Sequence, residues 1–191
     1  MLTDKEAIRL LGHQMHFMRS AWISALDTHL RGVNHPGLTD SVRGGIIQNL
    51  AVFYMRQRTS GRFRELQQRQ IIIMDDVALV CFKTLDEQLH CKGGQPSALA
   101  DMFYGQQNLP GFPDLTHLVA GAIISDDYSS IVGTYLICPS SQTRNNWELR
   151  IGDDNVDLFG QTELPAPDGP LPSWKLKKLP PHHDESTGNV G

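Results

Sequence analysis

At Arg69 the hydrophobic pattern of this chain changes period, and that change constrains the fold more than any other feature of its 191 residues. Upstream, Ile8, Leu11, Met15, Met18, Trp22 and Leu26 recur at three- and four-residue steps, laying one apolar stripe along a helix of about seven turns. Thr3 and Glu6 stand at the spacing of a capping box at its start. "RGVNHPG" breaks the pattern, and Thr39 or Asp40 then caps a second helix with Val42, Ile46, Leu50 and Phe53 on one face and Gly61 at its end. Two such helices joined by a short loop pack as an antiparallel pair. Downstream, "QIIIM" and "VALVCF" are short, branched and separated by Asp75 and Asp76, the pattern of a strand hairpin with both faces at least partly covered. "PSALADMFYG" reads as a short helix begun by Pro96, "LPGFP" as a turn, and "LTHLVAGAII", "SIVGTYLIC", "WELRI" and "VDLF" as four further strands. The predicted class is α+β, an N-terminal helical pair packed on a mainly antiparallel sheet of about six strands. The expected boundaries are one domain over 1–160, helical over 1–66 and sheet over 69–160, then an extended proline-rich tail over 161–191.

Composition narrows the classes of function. Apolar residues make up 40% and charged residues 20%, as in a globular protein, and the longest apolar run falls far short of the ~20 residues of a membrane span. The N-terminus carries acids early and has no basic segment followed by an apolar one, so it does not read as a secretory signal, and a cytoplasmic location is expected. Cys81, Cys91 and Cys138 are odd in number and lack C-x-x-C spacing, which argues against a disulfide framework or a structural zinc site. No metal and no cofactor is expected. The formal net charge of -4 gives no overall pull toward nucleic acid, so any such binding has to come from a local patch.

Such a patch is "RQRTSGRFRELQQRQ", where Arg56, Arg58, Arg62, Arg64 and Arg69 accompany Phe63 and one acid, Glu65. Arginines interleaved with an aromatic can hold phosphates and stack on a planar group, which makes this stretch the candidate anion- or nucleic-acid-binding surface. As a helix end, it would equally suit the negative pole of the helix dipole. The acidic pairs Asp75–Asp76, Asp126–Asp127 and Asp153–Asp154 each fall at a break between strands. Aspartate tolerates left-handed backbone, so turns select it without help from function. If all three turns met at one end of the sheet, six carboxylates would converge on a magnesium or calcium ion, the core of a nuclease site; the crossover between Lys83 and Leu115 sets that parity. His13 and His16, one turn apart, have no evident third ligand, and the adjacent His90 and Cys91 point apart in an extended chain. The tail holds six of the eleven prolines, and within it Trp174, Leu176 and Leu179 lie among lysines, a candidate partner-binding segment.

"VCFKTLDEQL", "MFYGQQNLPGFP", "THLVAGAII", "YLICP" and "NNWELRI" together resemble a group of small bacterial proteins encoded beside helix-turn-helix proteins that carry an ImmA/IrrE-type metallopeptidase domain. The resemblance spans about Val80 to Ile151. It implies one half of a toxin-antitoxin or phage-defence pair, the toxin being one assignment, with a cognate regulator or antitoxin protein as partner. It carries over no catalytic residues, and the chain has no H-E-x-x-H of its own. The expected function is a non-enzymatic interaction component; a metal-dependent nuclease or other nucleic-acid-binding effector is the alternative.

Overall fold

A computed structural model describes residues 1–33, 37–58, 62–66, 69–92 and 97–152. Helix α1 runs from Asp4 to Thr28 behind the expected capping box: Thr3 Oγ1 accepts from the Glu6 amide, and the Glu6 carboxylate accepts from the Thr3 amide. Leu11, Met15, Met18, Trp22 and Leu26 are buried along it, with the small residues Ala7, Ala21 and Ala25 between them. A π-helical turn, His29–Val33, continues the helix where a break was expected. Helix α2 spans Asp40–Arg58. Its Tyr54 hydroxyl lies 2.5 Å from Thr28 Oγ1, and one turn further on Arg58 donates to Ser24 Oγ, the sense of an antiparallel pair.

The buried face of α2 differs from the expected one. Ile47, Leu50, Ala51, Val52, Tyr54 and Met55 are buried, whereas Val42 is 46% exposed and Ile46 and Phe53 only half-buried. The helix packs on both α1 and the sheet, and its innermost row includes Ala51, too small to register in a stripe of large apolar residues. Gly61, expected at its end, lies outside the described residues.

Six strands follow: β1 (Arg62–Leu66), β2 (Arg69–Met74), β3 (Ala78–Leu85), β4 (Thr116–Ile124), β5 (Ile131–Ser141) and β6 (Arg144–Arg150), with helix α3 (Ala98–Tyr104) between β3 and β4. They form one sheet in the order β1-β2-β3-β4-β5-β6, antiparallel except for the β3–β4 pair. The strand pattern thus begins at Arg62 rather than Arg69, because "RFREL" alternates charge with Phe63 and pairs with β2 through Arg64↔Ile71. "VDLF" lies outside the described residues, as does Pro96; the α3 cap is Ser97, whose Oγ accepts from the Ala100 amide.

Alternation along the strands sends side chains to two cores. Ile72, Met74, Val80, Phe82, Leu118 and Leu136 face α1 and α2, where Phe82 meets Trp22 at 5.7 Å between ring centres. Ile71, Ile73, Leu79, Val119 and Ile137 face α3, with Phe103, Tyr104 and Leu109 over them. The sheet is therefore sandwiched, as the unbroken apolar runs of β2 and β3 required. Gly121 leaves room on the α3 face for Leu85, whose methyl would lie 2.3 Å from any Cβ added there. Gln106 fastens the end of α3 to the sheet, accepting from the His117 amide and donating to the His117 and Pro139 carbonyls. Among the described residues no helix is long and apolar enough to cross a membrane.

Candidate functional site

The structure divides the arginine stretch between both sides of the sheet. Phe63 packs with the α1–α2 core, and the Arg56 guanidinium from the end of α2 lies 4.8 Å from its ring centre. Arg64, the next residue, reaches the α3 side, where its Nη1 donates to the Gly111 carbonyl at 2.6 Å and the guanidinium lies 5.8 Å from the Phe112 ring. Arg58 is turned into the helical pair, donating to Ser24 Oγ; burial lowers its pKa, partly opposed by Tyr54. Arg56 and Arg64 stay exposed but face opposite ways, so they do not form one patch with Arg58. Arg62 pairs through its backbone with Ile73, and Arg69 with Leu66. Trp174, Leu176 and Leu179 lie outside the described residues.

The acidic pairs are separated too. Asp75 and Asp76 close the β2–β3 hairpin, both at left-handed φ (49° and 53°), with the Val77 amide donating to the Met74 carbonyl. That is the turn chemistry expected of aspartate. Because β3 and β4 are parallel, the next hairpin, with Asp126 and Asp127, lies at the opposite end of the sheet. A six-carboxylate centre is therefore not formed. Asp153 and Asp154 lie outside the described residues, and among those described no three His, Cys, Asp or Glu side chains are placed to hold a metal. In the second turn, Asp127 Oδ1 accepts from Ser125 Oγ (2.6 Å), Ser129 Oγ (2.8 Å) and the Ser129 amide (3.1 Å). Those bonds, the Ser125 hydroxyl's foremost, lower its pKa to about 2.

The remaining nucleophile and ligand candidates are structural. His13 Nε2 lies 3.3 Å from Asp75 Oδ2 and tethers α1 to the hairpin, while His16 packs edge-on to Phe17. His90 lies beside the Asp86 carboxylate, and burial pushes the Cys91 thiol up, the reverse of an activated nucleophile. Cys81 and Cys138 are buried core residues.

Two adjoining concavities beside β3 were not read from the sequence. β2 stays in register with β3 only from Met74↔Ala78 to Ile71↔Cys81, and the far end of β3 is bordered by a bridge from Leu85 to Cys91. Between them the sheet edge carries a notch at Phe82 and Lys83. A cavity of about 110 Å³ fills it, walled by Cys81, Phe82, Leu99, Phe103 and Leu109. Lys83 and Gln48 also line a second, wider groove of about 440 Å³ beside it, between Gly44–Gly45 of α2 and the ends of β3 and β4. Lys92 enters that groove because its amide donates to the Thr84 carbonyl. The sequence signals were slight: a glycine pair within a helix, and a lysine interrupting an apolar strand.

These features define a two-core α+β domain with a grooved sheet edge beside β3 and an arginine-bearing edge strand. Compared with known proteins, the chain has no significant match to a family model, a curated protein or a solved structure.

Proposed function

We propose that this chain is a non-enzymatic interaction component of a bacterial two-component module, as its resemblance implies, and that it meets its partner protein by strand addition at β1. The observation that carries this reading is the position of β1. It is the outermost strand, held to the sheet by β2 on one side, and among the described residues no strand pairs with its other side. Unpaired main-chain groups along such an edge are a template for another extended segment. The exposed Arg64 on this strand discourages self-association of like-charged edges and favours an acidic partner strand.

The test uses the protein purified from its native host with whatever protein accompanies it. Binding of that partner protects the β1 amides from hydrogen exchange, and Arg62→Glu with Arg64→Glu weakens binding at least tenfold while leaving the circular dichroism unchanged. A partner that binds both forms equally and leaves β1 amides exchanging freely rules strand addition out.

A further inference from the structure

The notch and the groove beside it have a composition that points to a ligand. The notch reaches in from the sheet edge between α2 and α3, with one apolar wall (Phe82, Leu99, Phe103, Leu109) and one polar wall (Gln48, Asn49, Gln70). At its mouth stands Lys83, and Lys92 lines the adjoining groove on the return segment whose amide bonds the Thr84 carbonyl. Among the described residues neither ammonium has an ion-pair or hydrogen-bond partner. Two lysines in the lining of one concavity give it positive charge that a bound anion would neutralise.

The other end of the groove has the opposite sign. Tyr128 donates to the Asp40 carbonyl. Burial raises the Tyr128 phenol, and Asp40 and Asp126 push it the same way against Arg43, so both carboxylates act at that end. The groove therefore carries both signs of charge, with Lys83 at the border it shares with the notch and Asp40 and Asp126 in the part that does not line the notch. A second negative charge on a ligand would meet Asp40 and Asp126. Gly44 and Gly45 line the groove between: a Cβ added at Gly44 would come into ordinary contact with Thr84, and one at Gly45 would meet nothing within 4 Å.

We infer that this is a binding site for an amphipathic monoanion, a small carboxylic acid with an apolar arm, whose carboxylate lies between Lys83 and Lys92 and whose arm enters the notch walled by Cys81, Phe82, Leu99 and Phe103. The site lies away from the outer edge of β1 and does not depend on strand addition there. A dianion is disfavoured by the acidic end, and a purely polar anion leaves the notch unfilled. Gln48, which lines both cavities, is placed to donate to the second carboxylate oxygen.

The test is calorimetric titration of the full chain with butanoate, hexanoate, inorganic phosphate and hexanol. Hexanoate is expected to bind, with affinity rising about fourfold per added methylene from butanoate onward, the effect of burying one CH₂. Phosphate and hexanol, each lacking one half of the recognition, bind at least tenfold more weakly. Lys83→Gln with Lys92→Gln abolishes the preference for hexanoate over hexanol, and Leu99→Trp, which fills the notch, removes the chain-length dependence; circular dichroism and thermal midpoint establish that each variant is folded. The inference is overturned if hexanoate does not bind the wild-type chain, if phosphate binds as tightly, or if the double lysine variant binds hexanoate unchanged. Should Leu99→Trp fail to fold, a flat chain-length series in the wild-type chain is sufficient to reject the apolar arm.

Discussion

The same dipeptide, Asp-Asp, closes two hairpins at opposite ends of this sheet, and the two turns are built by different physics. At Asp75–Asp76 the backbone is unusual: both residues take left-handed φ, which sets the strands at the twist a tight hairpin needs. At Asp126–Asp127 neither aspartate has positive φ; that conformation falls on Tyr128, and Asp127 works through its side chain by collecting the hydroxyls and amide of Ser125 and Ser129. An acidic pair between strands is thus a reliable sign of a turn but not of one turn type. Neither pair needs a metal to account for its composition.

The largest effect that separates them comes from forcing branched side chains into each turn. Asp75→Val with Asp76→Val places two β-branched residues at positive φ, where each is expected to cost on the order of 1–2 kcal/mol. Urea denaturation should show a loss of about 2 kcal/mol or more for the pair, with an unchanged slope. Asp126→Val, at a residue outside the left-handed region, should change stability by less than about 0.5 kcal/mol, the range of ordinary surface substitutions. Equal losses at the two sites would mean that backbone conformation does not distinguish the turns.

A smaller effect has the opposite sign. Asp76→Gly supplies the residue that the second central position of such a turn favours, and a gain of about 0.5 kcal/mol is expected in the same measurement. Asp126→Gly has no strain to relieve and adds entropy to the unfolded chain, so a small loss is expected there. A gain at both positions would show that the hairpins respond to glycine for some reason other than φ.

The two turns also mark what could be read from the sequence. The cap of α1, its buried stripe and the change of period were legible because each is local: Thr3 and Glu6 are one turn apart, and Ile71, Ile72 and Ile73 cannot alternate faces without two cores to enter. What remained hidden depends on contacts distant in sequence. Charge concealed β1, since only pairing with β2 fixes which face Phe63 takes. The parallel crossover through α3 inverted the end of the sheet at which Asp126 lies, a matter of topology and not of pattern. Lys83 and Lys92 come to one groove only because the chain doubles back from Leu85 to Cys91, so each lysine alone reads as a solvated surface charge.

The smallest effect is a pH dependence confined to the second turn. Asp127 has its pKa lowered from 3.8 to about 2 by the Ser125 and Ser129 hydrogen bonds, while in the unfolded chain it titrates near its ordinary value. A carboxylate whose folded pKa is depressed adds stability that is complete above the unfolded pKa and disappears as pH falls through the folded one. The contribution is therefore present above about pH 4 and lost between about pH 4 and pH 2. Because the group is exposed, salt and solvent hold the effect below that of either substitution in the first turn. Asp127→Asn keeps the shape of the side chain but cannot ionise. The thermal midpoint of wild type should exceed that of the variant at pH 6, and the gap should narrow as pH is lowered through 4 toward 2. Asp76→Asn, at left-handed φ in the first turn, serves as the contrast, since asparagine accepts that conformation as readily as aspartate; Asp75 is set aside because its carboxylate also meets His13. A gap at Asp127 that stayed constant down to pH 2 would mean that the serines hold the side chain's shape and not its charge, and the two turns would then differ in geometry alone.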